Sequence, residues 1–346
     1  MSSSEDLQYP RLLLQYRDGF LVSKAMFTAC ELGVFDLLQE SGAPLSSAVI
    51  AERLQASADG MERLLCTCVG LKLLETEMSN MEALYKNTDL SAIYLTKSSQ
   101  RSLLPMMWYF SDTLYKYMNH LTDAVREGTS QHKRVTGKTC KDPFAVVYST
   151  DDAMLKFMQF MNTIGGLCDG DVIAALDLSP FSKVCDLGGC TGALARQFIL
   201  AYPRATVTVY DLPKIVQIAK KHFISPEDSQ IKFHEGDFFE DPIPEADLYI
   251  LARIIHDWNY DQCLQLLSKV YNSLKSGGGV LLVETLLKED KSGPLESQLW
   301  SLIMMLLTDG TERTPSEYKK LLTTAGFRKV EIGTTGKMYN AILGIK

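Results

Sequence analysis

Long hydrophobic runs are missing from this chain. No uninterrupted apolar stretch in its 346 residues approaches the roughly 18 that a membrane-spanning helix needs, so no membrane partner is expected. Positive charge is also in short supply. With 35 Lys and Arg against 42 Asp and Glu the formal charge is −7, which argues against nucleic acid and anionic lipid, since both are bound through basic faces. Paired cysteine is the third absence. The 8 cysteines (Cys30, Cys66, Cys68, Cys140, Cys168, Cys185, Cys190 and Cys263) form no CxxC pair and no Cys/His cluster at zinc spacing, so no metal site is expected. Most sit in apolar stretches such as "RLLCTCVGLKLL" and read as reduced, buried thiols. The opening "MSSSEDLQYP" is polar and acidic, unlike a signal or transit peptide, which makes the cytoplasm the expected location.

What is present is apolar material, 46% of residues, enough for one large domain and a smaller one. Over residues 1–105 the periodicity is mainly helical. "GFLVSKAMFTACELGVFDLLQESG" predicts a helical stretch that Gly42 and Pro44 end, and "PLSSAVIAERLQASADGMERLLCTCVGLKLL" predicts a short helix, a polar turn and a longer helix. With a hairpin in "LLETEMSNMEALYKNT", this is a winged-helix arrangement. Such modules often read DNA, but here Arg63 and Lys72 are set against Asp59 and Glu62. The module is therefore expected to pack against another subunit. Residues 106–175 form a helical connector rich in methionine and aromatics, suited to a core or to the wall of a pocket for a flat ligand.

From about residue 180, strands alternate with helices, the pattern of a doubly wound parallel sheet. The strand candidates are "KVCDLG", "TVTVYDL", "IKFHEGD", "ADLYILARI", "GVLLVETLL", "KVEIGTT" and "NAILGIK". Between two of them, "YDQCLQLLSKVYNSLKSGGG" predicts a helix capped by Asp261 and closed by glycines. Ligands of such sheets sit at the carboxyl ends of the strands, so those ends carry the functional argument.

The first strand runs into "DLGGCTG". A dinucleotide fingerprint starting at Gly188 would need glycine where Cys190 stands, and no Gly-Lys-Ser/Thr follows for a nucleotide triphosphate loop. What remains is a tight turn before a helix N-terminus, suited to a carboxylate. The second strand ends on Asp211, the usual partner of ribose hydroxyls. After the third, "EGDFFEDP" offers Asp237 to an adenine amino group and Phe238 as a stacking face. A nucleoside without pyrophosphate points to S-adenosylmethionine. Beyond the fourth strand, Arg253 stands within reach of the cofactor's ribose or carboxylate, and His256 is the one histidine at this edge. His120, His132, His222 and His234 have no chemical context. With Glu284 after the fifth strand and Glu312 in "DGTERTPSEY", His256 predicts a base held by one or two carboxylates.

The segments "DLGG", "YDLP", "EGDFF", "PEADLYILARIIHDW", "SGGGVLLVETLL" and "ERTPSEYKKLLTTAGF" follow one another as in the S-adenosylmethionine-dependent O-methyltransferases with an N-terminal winged-helix dimerisation domain. The chain resembles that family over essentially its whole length. The resemblance implies an α/β fold: a Rossmann-like class I methyltransferase sheet over 106–346 behind a mainly α dimerisation domain over 1–105. It implies a homodimer and methylation of a small hydroxy-aromatic, the 5-hydroxyl of N-acetylserotonin. It also implies cofactor contacts at Tyr148, Gly188, Asp211, Gly236, Asp237, Phe238 and Arg253, His256 as general base oriented by Glu284 and Glu312, and substrate contact at Asp257.

Three departures stand out against that pattern. Cys190 replaces a third consecutive glycine. Gly165 replaces a tryptophan near the cofactor, and Ile303 and Leu307 replace an asparagine and a glutamine that hydrogen-bond the acceptor. An alternative therefore stays open, a dimeric relative that acts on another hydroxy-aromatic or serves as a binding or structural protein.

Overall fold

The computed structural model describes residues 9–137, 144, 147–225, 228–308 and 310–346. Cys140, read above among the reduced thiols, lies outside them. Two compact units follow one another, 1–113 and 114–346.

In the first unit, the apolar stretch expected as one helix is two: α1 (Arg11–Leu32) and α2 (Val34–Ser41). Gly33 divides them because it adopts the left-handed region, φ 80°, and its N–H closes the end of α1 on Ala29 and Cys30. The break turns Val34, Phe35 and Leu38 into the core. Next come α3 (Ser47–Arg53), α4 (Ala58–Gly70) and a hairpin of β2 (Leu74–Ser79) and β3 (Glu82–Asn87), on which β1 (Leu45–Ser46) pairs antiparallel. Asn80 and Met81 make the tight turn with positive φ, 50° and 66°. Helix, helix and wing are the predicted winged-helix module. On α1, Leu13, Tyr16 and Phe20 are 66%, 65% and 57% exposed, a row of apolar side chains left without cover in one subunit.

The second unit is built on a seven-stranded sheet, in the order β6-β5-β4-β7-β8-β10-β9. The strands are β4 (Lys183–Leu187), β5 (Thr206–Asp211), β6 (Ile231–Glu235), β7 (Leu248–Ala252), β8 (Gly279–Glu284), β9 (Lys329–Gly333) and β10 (Asn340–Ile345). All seven lie in the predicted segments. β4 to β8 are parallel, and β10 enters antiparallel between β8 and β9. Every residue of β7 and β8 is buried, which is why these segments read as continuous apolar runs rather than alternating ones. The helices that bear on the site are α5 (Asp151–Ala174), α6 (Ala193–Ala201), α7 (Pro213–His222), α8 (Tyr260–Ser273), α9 (Leu295–Leu307) and α10 (Pro315–Ala325). Among the described residues, no helix is long and apolar enough to cross a membrane.

Two local expectations are corrected. Cys66 is exposed, unlike the buried Cys30, Cys68, Cys168, Cys185 and Cys263, because it lies on the outer face of α4. The cap of α8 is Asn259 rather than Asp261: the Asn259 side chain accepts from the Gln262 N–H at 3.0 Å, while Asp261 already sits within the first turn. Asn259→Ala is therefore expected to lower unfolding stability by about 1 kcal/mol, and Asp261→Ala by less than half of that. Urea melts of the two variants separate the roles.

Candidate active site

The parallel register brings the ends of β4, β5, β6, β7 and β8 to one edge of the sheet, and the predicted residues gather there. After β4 the chain turns through Gly188, Gly189, Cys190, Thr191 and Gly192 into α6. Gly188 and Gly192 have φ near 72° and 73°. At Gly189 the constraint is space, because a Cβ there would stand 2.6 Å from an Asp186 carboxylate oxygen and 3.0 Å from Val209. Cys190 also takes positive φ, 51°, a conformation that a side chain adopts at a penalty of about 1–2 kcal/mol. Its N–H donates to Asp211 Oδ2 at 2.9 Å, and Leu212 N–H donates to Oδ1 at 2.8 Å. Asp211 thus ties the turn after β4 to the end of β5. Burial raises its carboxyl to about 6, and the two N–H donors pull the other way. The Cys190 side chain packs beside Tyr148 and Leu212 against Met154 and Met158, and burial holds its thiol above the ordinary range.

Beyond β6, Gly236 packs so tightly on the Tyr210 ring that no side chain fits there. Asp237 Oδ1 accepts from the Phe239 N–H at 2.8 Å. Phe238 lies over the turn, its ring edge 3.6 Å from where a Gly188 Cβ would be, and meets Phe239 and Trp258 edge-on. Tyr148 stacks on Phe144, with ring centroids 5.5 Å apart, and Phe144 meets Trp258. These side chains supply flat apolar faces beside the turn. A small cleft enters the turn itself, lined by Met161, Asp186, Gly188, Cys190, Ala193 and Arg253 among others.

Arg253 follows β7 with φ 60° and a backbone N–H bound to Val283 O at 2.9 Å. Its guanidinium lies over the Tyr339 ring and donates Nη1–H to Asp169 Oδ1 at 3.0 Å. Burial opposes its charge, but Asp169 and Tyr339 hold the guanidinium pKa above its ordinary value. Asp169 and Asp186 were not among the predicted site residues. The available signals were the first of two acids in the α5 segment "GGLCDGD" and the acid just before the glycine turn.

His256 sits in a single 3₁₀ turn, Ile255–Asp257, after β7. Glu284, the last residue of β8, accepts the N–H of Ile255 at 2.8 Å and of Ile254 at 3.2 Å through Oε1, and so holds that turn in place. Its Oε2 lies 3.3 Å from His256 Nδ1, and Glu312 Oε1 lies 2.8 Å from the same nitrogen. Nδ1 is therefore the hydrogen-bonded nitrogen, which leaves Nε2, 3.7 Å from Asp257 Oδ1, as the one to accept a proton. Arg313, which sequence reasoning missed although it adjoins Glu312, clamps the turn by donating to Ile255 O at 2.9 Å and Trp258 O at 3.0 Å. Gly310 lies flush against the His256 carbonyl, where no Cβ has room.

The imidazole is 5% exposed, and burial alone would keep it neutral. Glu284, then Glu312 and Asp257, outweigh burial and raise its pKa to about 10. Burial ahead of the acidic neighbours raises Glu284 to about 7 and Asp257 to about 6, with His256 opposing both rises. One nitrogen and two carboxylate oxygens of His256, Glu284 and Glu312 lie within 4.8 Å of one another, a donor set that would also admit a divalent cation. The 2.8 Å contact is a hydrogen bond whose proton takes that place.

Ile303 and Leu307 are half-buried one turn apart on α9. His132 is buried between the Tyr117 hydroxyl, 2.7 Å from Nδ1, and Leu307 O, 2.5 Å from Nε2. It is a satisfied structural histidine.

Comparison with known proteins agrees with this geometry. A family model described as the O-methyltransferase domain matches residues 118–328, and one described as the O-methyltransferase dimerisation domain matches residues 14–97. The chain is 57% identical to the acetylserotonin O-methyltransferase of Gallus gallus and 48% identical to that of Homo sapiens, over the full length of all three. The crystal structure of human N-acetylserotonin methyltransferase in complex with SAM superposes with a TM-score of 0.95 at 48% identity, covering 100% of this chain and 99% of that one.

Because carboxylates raise the imidazole, removing one should lower it. In Glu312→Gln the His256 pKa is expected to fall from about 10 toward its ordinary value, as read by NMR titration of ring-labelled histidine. A value unmoved by the substitution would contradict the electrostatic account.

Proposed function

The chain belongs to the O-methyltransferases that carry their own dimerisation domain, and on that premise we propose that it methylates the 5-hydroxyl of N-acetylserotonin, using S-adenosylmethionine, to give melatonin. The observation that carries this reading is a histidine with one free nitrogen, raised to about 10 by two buried glutamates. Beside it lies a glycine turn with buried polar atoms that lack partners. S-adenosylmethionine, when bound, supplies a methyl group on a positively charged sulfur.

The residues around the cleft fit such a ligand. Asp186, Arg253 and Asp169 carry buried polar atoms without partners, as a site for a charged amino-acid end would. Asp211 stands at the end of β5 where ribose hydroxyls would be met, and Phe238 and Tyr148 offer faces to a base. The roles of Gly188, Gly236 and Asp237 in this reading are to let the backbone approach the nucleoside and to accept from its amino group.

His256 does the proton chemistry. A phenol-type hydroxyl with pKa near 10 is ionised to only about one part in a thousand at pH 7, a deficit of roughly 4 kcal/mol. Passing its proton to an ordinary imidazole would be uphill by about 3.5 pKa units, or roughly 5 kcal/mol. An imidazole raised to about 10 makes the transfer nearly level. Glu284 and Glu312 act through His256, orienting Nδ1–H and stabilising the imidazolium that forms at Nε2. Asp257, beside Nε2, is the substrate contact. Deprotonated His256 becomes more abundant as pH rises, so kcat/KM should climb from neutral into alkaline pH. In Glu312→Gln the climb should shift to lower pH.

We read the assembly as a homodimer, a reading supported by the dimerisation domain and the uncovered apolar row on α1, and the location as cytoplasmic. A second reading, a more apolar hydroxy-aromatic acceptor, is favoured by Ile303 and Leu307, which offer no hydrogen bond to an acetamide. Each partner lost in this way costs about 1–3 kcal/mol.

The deciding experiment is titration calorimetry with S-adenosylmethionine followed by a methyl-transfer assay. Cofactor binding and turnover of N-acetylserotonin are expected, and the absence of either overturns the reading. His256→Ala should lower kcat by about 10²- to 10⁴-fold while leaving cofactor affinity unchanged. Installing polar groups with Ile303→Asn and Leu307→Gln should raise the preference for N-acetylserotonin over a hydroxyindole lacking the acetamide by about tenfold.

A further inference from the structure

The last turn of α9 is held by a side chain 175 positions away in sequence. An α-helix leaves its final carbonyls without intrahelical partners, and many helices close them with a left-handed glycine. Here Thr308 follows the helix in extended backbone, φ −137° and ψ −177°, so no such closure forms. Met304 O takes the Thr308 N–H at 2.7 Å. The carbonyls of Leu306 and Leu307 are met from another part of the chain, by the Gln131 N–H at 3.0 Å and by His132 Nε2 at 2.5 Å.

A carbonyl oxygen only accepts, so Nε2 carries the proton of that bond. In the neutral ring Nδ1 is then the acceptor, and the Tyr117 hydroxyl, 2.7 Å away, donates to it. The two rings also meet edge-on, with centroids 5.4 Å apart. The turn that carries the histidine is fixed as well. The Gln131 amide donates to Thr129 O at 2.9 Å and accepts from Arg134 at 2.8 Å, and Arg134 closes on Glu127 through two bonds of 2.7 Å. Tyr117, Gln131 and His132 are all buried, so a partner removed here is not replaced by bulk water.

Two features give this clamp a bearing on the reaction. Leu307, whose carbonyl is held, is with Ile303 one of the two α9 residues assigned to the acceptor above. The chain leaving the helix runs on to the base: the Gly310 N–H donates to Thr308 Oγ1 at 3.1 Å, Gly310 lies flush against the His256 carbonyl, and Glu312 bonds His256 Nδ1. The end of α9 is therefore tied to His132 on one side and to the segment bearing Glu312 on the other.

We propose that His132, backed by Tyr117, is a positioning residue for the acceptor: by fixing the last turn of α9 it sets where Leu307 stands relative to His256, and so how tightly the hydroxy-aromatic is held. This rests on the acceptor assignment made above and adds two residues that do not touch the substrate.

Steady-state kinetics test it. In His132→Ala the KM for N-acetylserotonin is expected to rise about tenfold, with kcat within about threefold of wild type and the KM for S-adenosylmethionine within about twofold. His132→Gln, whose side-chain N–H can reach Leu307 O, should bring the acceptor KM back to within about threefold of wild type. A role confined to stability would lower kcat through the fraction of folded enzyme and leave both KM values alone. That result overturns the proposal, as do equal rises in both KM values or a His132→Gln enzyme no better than His132→Ala. Should His132→Ala fail to fold, Tyr117→Phe decides. Loss of the hydroxyl alone should raise the acceptor KM about threefold, and an unchanged KM refutes the clamp. Wild-type enzyme that uses another hydroxy-aromatic in place of N-acetylserotonin overturns the acceptor assignment, and the same KM comparison on that acceptor then decides the role of His132. Wild type without turnover on any hydroxy-aromatic overturns both.

Discussion

The carboxylate of Glu284 is the contact on which the site depends. One oxygen receives the backbone N–H groups of Ile254 and Ile255, and the other faces His256 Nδ1. A single buried side chain at the end of β8 therefore fixes the turn after β7 and the charge of the histidine that the turn carries. Glu312, in the segment after α9, meets the same nitrogen, and Arg313 next to it holds the turn through the carbonyls of Ile255 and Trp258. Removing any one of these would leave a buried charge or backbone group without its partner, which is why the cluster acts as a unit.

Burial gives the second organising effect. Asp186, Asp211, Asp257 and Glu284 are all pushed upward from the ordinary carboxyl range, with desolvation as the leading cause in each case. They line one edge of a sheet whose β7 and β8 are wholly buried. Desolvation disfavours the ionised form of each of these carboxyls, so each favours a nearby proton or positive charge. The backbone shares in this arrangement. Cys190 and Arg253, both without glycine's freedom, are held at positive φ where the turn meets the cleft.

Much of this was legible along the chain. β7 and β8 stood out because strands buried on both faces demand continuous apolar runs, and the strand ends pointed to Gly188, Asp211, Asp237, Phe238, Arg253 and His256. The α1–α2 break at Gly33 was not legible, since apolar spacing continues through it and the left-handed φ appears only when Phe35 must turn inward. Asn259 in place of Asp261 was a shift of two residues that only the hydrogen bond decides. Asp169 escaped notice because an acid in an apolar helix has no meaning until its partner, Arg253, 84 positions away, is known.

Composition and pattern alone determined the fold class and singled out the edge of the sheet and the histidine we propose as base, because periodicity and strand-end chemistry are properties of neighbours in sequence. Tertiary structure decided which nitrogen of His256 is bound and which is free, how far two glutamates raise it, and that Asp169, remote in sequence, is the partner of Arg253. Those are consequences of distance and desolvation among residues remote in the chain, and neither can be read from order alone.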